Sequence, residues 1–117
     1  MPPEYSIPYP SRRSEAETHA EMWCRLIQRG HDARCEVKGT APAGSRGARF
    51  DIVVFWREEA VCIVEVKRET SRGGARQQDR YSAEYGIPAF VCRGDFDAVM
   101  SQVEEAVTFA RISSLPL

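Results

Sequence analysis

Asp51 stands near the start of one strand-like apolar run, and fourteen residues further on Glu65-Val66-Lys67 closes another. Two carboxylates and a lysine thus fall at the ends of runs that a folded chain buries. Taking an ionised group out of water costs several kcal/mol unless it is paired with an opposite charge or bound to a metal ion. The three residues therefore offer two chemistries. One is a mutual ion pair at a strand end; the other is a cation held by oxygen ligands with an amine beside it.

The runs that must position them are Phe50-Asp51-Ile52-Val53-Val54-Phe55-Trp56 and Val61-Cys62-Ile63-Val64-Glu65-Val66-Lys67. Both are rich in β-branched and aromatic residues, and the charged Arg57-Glu58-Glu59 separates them, so the segment reads as a hairpin. Side chains alternate faces along a strand, which puts Glu65 and Lys67 on one face and Val64 and Val66 on the other. Asp51 joins the first face only if directly opposed residues have numbers with an even sum, as 51 with 65 or 67. A two-residue turn at Glu58-Glu59 would make that sum odd and turn Asp51 away. The spacing therefore predicts an odd-length connection or a bulge within residues 56–61, with all three side chains on one face next to the first helix.

The remaining elements follow from local signals. Residues 1–13 are proline-rich, with Tyr5, Ile7 and Tyr9 interspersed, and read as an extended segment; residues 14–117 read as one domain. Ser14 and Glu17 form a capping box for a helix to Arg29, with Ala16, Ala20, Trp23, Leu26 and Ile27 on its apolar face and Gly30 as its stop. Arg34 to Lys38 reads as a first strand, and Gly39 to Gly47 as a loop over the site mouth. Thr70 to Gly74 is a second loop, followed by a helix over Ala75 to Tyr85 and a strand over Ile87 to Cys92. Asp95 caps a final helix to about Ile112, in which Phe96, Val99, Val103, Val107 and Ala110 recur at helical spacing.

That order of helix, strand, hairpin, helix and strand, with Asp51 on one strand and Glu65-x-Lys67 on the next, resembles the PD-(D/E)XK nuclease superfamily over residues 14 to 92. The resemblance implies an α/β, restriction-endonuclease-like αβββαβ core: a mixed four-stranded sheet flanked by helices, here with a C-terminal helix added. It implies that Asp51, Glu65 and the backbone carbonyl of Val66 hold Mg²⁺ or Mn²⁺, and that Lys67 orients or deprotonates the attacking water or offsets charge in the transition state. A fourth acid often comes from the first helix in this superfamily; Glu17 is favoured, with Glu21 as the substitute. Gln78 or Gln77 resembles the glutamine that some branches carry after the lysine, with Tyr81 and Tyr85 packing behind. The expected activity is metal-dependent hydrolysis of DNA, with a homodimer or a partner protein supplying specificity. The alternative is a non-catalytic nucleic-acid-binding or assembly module on the same fold.

Composition narrows the partners. Sixteen basic residues against seventeen acidic ones give a net charge of −1, so affinity for DNA must come from a local patch. Cys24, Cys35, Cys62 and Cys92 lack the paired spacing of a zinc site and read as reduced core residues. His19 and His31 have no partner at ligand spacing and read as solvated or core histidines. The chain shows no membrane-length apolar run and no signal-peptide segment, so a cytoplasmic location is expected.

Overall fold

The capping box at Ser14 sets the start of the first helix. Ser14 Oγ accepts from the Glu17 amide at 3.1 Å and the Glu17 carboxylate accepts from the Ser14 amide at 3.3 Å, satisfying two of the amides that a helix start leaves open. In the computed structural model, which describes residues 13–39, 49–68 and 82–115, the chain runs α1 (Glu15–Gln28), β1 (Asp32–Lys38), β2 (Arg49–Trp56), β3 (Glu59–Val66), β4 (Ala89–Cys92) and α2 (Phe96–Ser113). Residues 82–85 are helical and end at Gly86, whose φ of 70° suits glycine at a helix end. They form the end of the helix expected over 75–85; its earlier residues lie outside the described ones, as do the loops expected over 40–47 and 70–74 and the segment 1–12.

The protein is α/β, with a mixed four-stranded sheet in the order β1-β2-β3-β4 and a C-terminal helix. β1 pairs antiparallel with β2, β2 antiparallel with β3, and β3 parallel with β4. Alternation along β2 and β3 divides the core in two. Ile52, Val54, Cys62, Val64 and Val66 pack with Met22 and Leu26 of α1 and with Phe96, Val99 and Val103 of α2. Val53 and Ile63 face the other way, with Phe50, Ala89, Tyr85 and Ile87.

Several local expectations need correction. The buried face of α1 is Thr18, Met22 and Leu26, whereas Ala16 and Ala20 are exposed and Trp23 and Ile27 are 37% and 43% exposed. At about 100° per residue, the small alanines pulled the expected stripe round toward Trp23, but the sheet takes the longer Met22 and Leu26. Trp23 instead lays its edge on β1, donating from Nε1 to the Ala33 carbonyl at 2.8 Å. Cys62 and Cys92 are buried, but Cys24 and Cys35 are exposed. Asp95 precedes α2 without capping it through its side chain; its carboxylate accepts from the Arg93 amide at 2.8 Å, closing the turn after β4. β1 begins at Asp32 and β4 at Ala89, two residues to either side of the expected starts. Among the described residues, no helix is long and apolar enough to cross a membrane.

Candidate metal centre

The hairpin between β2 and β3 solves the parity problem with a bulge. Arg57 and Glu58, at φ 50° and 67°, make a two-residue turn flanked by the pair Trp56 and Glu59. Phe55 then opposes Ala60, but Val54 opposes Cys62, so Val61 is an extra residue on β3. Val61 and Cys62 both pack into the α1–α2 core, and beyond them the register runs Val53 to Ile63 and Ile52 to Val64. Continued by one residue, that register sets Asp51 against Glu65.

At that point β2 leaves the β3 ladder and misses one pair with β1. On the β1 side the pairing steps from Cys35–Ile52 to Val37–Phe50, skipping Glu36, whose φ is 55°, and Asp51. On the β3 side it ends at Ile52–Val64. Phe50 and Val53 pack on the same side of the sheet, so the alternation of β2 breaks across Asp51. The amides of Ile63 and Lys67 bond to Pro88 and Cys92 on the β4 side, so by alternation the amide of Val66 faces β2. The Asp51 carboxylate accepts it, Val66 N–H to Oδ2, at 2.8 Å. In an extended strand a residue's carbonyl points the same way as its amide, which turns the Val66 carbonyl toward the Asp51 gap as well.

Glu65 completes the pair. It is 4% exposed, and its Oε1 is buried with no hydrogen-bond partner among the described residues. Burial, a hydrogen bond with the Asp51 side chain and the Asp51 charge push its carboxyl up to about 8, against smaller downward effects of the Asp51 backbone and Lys67. An unpartnered carboxylate oxygen beside a second carboxylate fits a hard divalent cation, which takes oxygen ligands and removes the repulsion between the two acids. Asp51, Glu65 and the Val66 carbonyl would hold it. Among the described residues, no group of three or more His, Cys, Asp or Glu side chains gathers as a metal site.

The other expected residues take varied positions. Lys67 directly follows β3, half-buried, with its amide bonded to the Cys92 carbonyl at 3.0 Å. Glu65 alternates with Val64 and Val66, so its side chain lies on the Ile63 face of the sheet and not on the α1 face where it was expected. Glu17 is exposed and its carboxylate is engaged by Ser14, whose hydroxyl and amide hold its pKa below the usual carboxylate value. Glu21 pairs with Arg13 at 2.6 Å and Arg25 at 3.8 Å. Gln77, Gln78 and Tyr81 lie outside the described residues. Tyr85 packs edge-on against Phe50, with centroids 4.9 Å apart.

The α1 residue in contact with Asp51 is His19, whose Nε2 lies 3.1 Å from the Asp51 carbonyl oxygen. Spacing alone gives it no partner, so the sequence points only to a solvated or core residue. Its one available signal was its place on the flank of the true apolar stripe. The topology also brings Lys38, Arg49, Lys67, Arg68 and Arg93 to one end of the sheet, since β1, β3 and β4 finish where β2 begins. An apolar groove of about 860 Å³ between Trp56, Phe90, Phe109 and Ala110 lies toward the opposite end and is lined by neither Asp51 nor Glu65. No protein-family model, curated protein or solved structure matches this chain.

Proposed function

We propose that the protein is a metal-dependent nuclease of the restriction-endonuclease-like type, hydrolysing DNA phosphodiester bonds at Asp51, Glu65 and Lys67. The observation that carries this reading is the buried Glu65 carboxylate beside Asp51, its Oε1 unpartnered among the described residues. A structural ion pair would not leave that oxygen bare. Mg²⁺ or Mn²⁺, when bound, supplies Lewis-acid stabilisation of the phosphoryl oxygens and a more acidic water.

The chain's own residues do the rest. Asp51, tied to the Val66 amide, and Glu65, fixed in the sheet, present oxygens from a rigid frame, so little reorganisation is needed at the reacting phosphate. Lys67, at the end of β3, orients or deprotonates the attacking water or offsets developing negative charge. The cationic residues at the same sheet end supply the local patch that the net charge of −1 does not, and phosphate is the group such a patch draws.

The deciding experiment is cleavage of single-stranded, duplex, flap and branched DNA with Mg²⁺ or Mn²⁺, comparing wild type with Asp51→Asn and Glu65→Gln from the same preparation. Cleavage by wild type alone is expected. Equal cleavage by all three would place any activity elsewhere, and DNA binding without cleavage would favour the assembly module.

A further inference from the structure

We infer that His19 is a positioning residue, a side-chain staple from α1 that holds the backbone of β2 so that Asp51 reaches β3. Asp51 has no pair in either ladder: the β1 pairing skips it between Ile52 and Phe50, and the β3 pairing ends at Ile52. The β1 pairs on either side of Asp51 keep the strand in register, but at Asp51 itself neither ladder supplies a pair to hold the peptide and aim its side chain. Contacts outside the ladder hold it, those with Glu65 among them. The carboxylate accepts from Val66 on β3, and the carbonyl meets His19 Nε2 at 3.1 Å on α1.

A carbonyl oxygen only accepts, so Nε2 carries the proton and donates. Neutral imidazole with its proton on Nε2 and the imidazolium both donate there, so the contact does not depend on which of the two is present. The staple has a firm base. α1 is anchored by the fully buried Met22 and Leu26, and His19 sits one turn before Met22 and next to buried Thr18. Glu17, with its carboxylate committed to the helix cap, is not the α1 side chain in contact with Asp51. The inference extends to the proposed metal chemistry only through the Asp51 carboxylate, and it stands on contacts that exist without metal.

The test reads the Asp51–Val66 contact directly. Amide hydrogen exchange of Val66 is compared by NMR with that of Ile63, which bonds to Pro88 on the other side of the same strand and reports general loosening. His19→Ala is expected to raise the Val66-to-Ile63 exchange ratio by about tenfold, the effect of losing one hydrogen bond. Mn²⁺ affinity, by calorimetry, should weaken by a similar factor. His19→Gln, which keeps a donor N–H at comparable reach, should bring both readings back toward wild type. An unchanged exchange ratio in His19→Ala, or no recovery of that ratio in His19→Gln, overturns the staple. Equal Mn²⁺ binding by wild type and Asp51→Asn would instead sink the metal-dependent reading, with the exchange ratio still deciding the role of His19.

Discussion

The Asp51 carboxylate accepts the Val66 amide hydrogen at 2.8 Å, so a side chain of β2 fills the place that its own backbone leaves in the ladder. The contact satisfies an amide beside the buried Val66 and brings Asp51 against Glu65. One acid is thus used structurally on one oxygen while the neighbouring acid keeps an oxygen bare.

The first prediction concerns pH. The folded-state pKa of Glu65 is raised from 4.5 to about 8, so the folded protein binds more protons than the unfolded chain between those values. Stability from this group is therefore fully present below pH 4.5 and is lost as pH rises toward about 8. In EDTA, thermal unfolding should show a Tm that falls across this window, and Glu65→Gln, an uncharged isostere, should flatten the fall. Mn²⁺ should raise the wild-type Tm more above pH 8 than near pH 5 and leave Glu65→Gln nearly unmoved. A wild-type Tm that climbs through the window would contradict the assignment.

Lys67→Ala separates chemistry from binding. Removal of a group that acts in the chemical step should lower kcat by about 100-fold or more. DNA affinity should change by about threefold or less, because one phosphate contact is a small part of such an interface. Steady-state kinetics and fluorescence anisotropy on the same substrate check the split. A large loss of affinity with kcat intact would make Lys67 a binding residue.

Among the described residues, Gly39 is the glycine most closely packed by its neighbours. A Cβ there would meet Tyr85 Oη at 2.7 Å and Phe50 Cε2 at 2.8 Å, and those two rings already stack edge-to-face. Gly39→Ala should destabilise by about 1–3 kcal/mol, the range for overpacking. Because Phe50 adjoins Asp51, Mn²⁺ binding should weaken too. Urea unfolding that matches wild type would show that the rings yield freely.

The orientation of α1 is open to a paired test. Leu26 is fully buried while Ile27 is 43% exposed. Leu26→Ala should cost about 2–5 kcal/mol, as large-to-small core changes do. Ile27→Ala should cost under about 1 kcal/mol, as surface changes away from special features do. Comparable losses in urea denaturation would mean that Ile27 is covered by something in solution.

Local patterns in the sequence determined much of this protein. The β-branched runs at 50–56 and 61–67 announced β2 and β3, Ser14 and Glu17 announced the start of α1, and the spacing from Phe96 to Val107 announced α2, because each signal lies within a few residues of its effect. Parity went further: requiring Asp51 to meet Glu65 led to an odd-length connection or a bulge within 56–61, and the structure has the bulge, at Val61. The tertiary structure decided what depends on residues far apart. The sheet took Met22 and Leu26 in place of the alanine stripe because fit against β2 and β3 outweighs simple apolar periodicity. It put Glu65 on the Ile63 face, committed Asp51 to the Val66 amide, and set His19 on the Asp51 carbonyl thirty-two residues away. These are consequences of where the β2–β3 ladder stops and the β1–β2 ladder skips a pair, and such breaks are set by the twist and packing of neighbouring strands rather than by any one segment's composition.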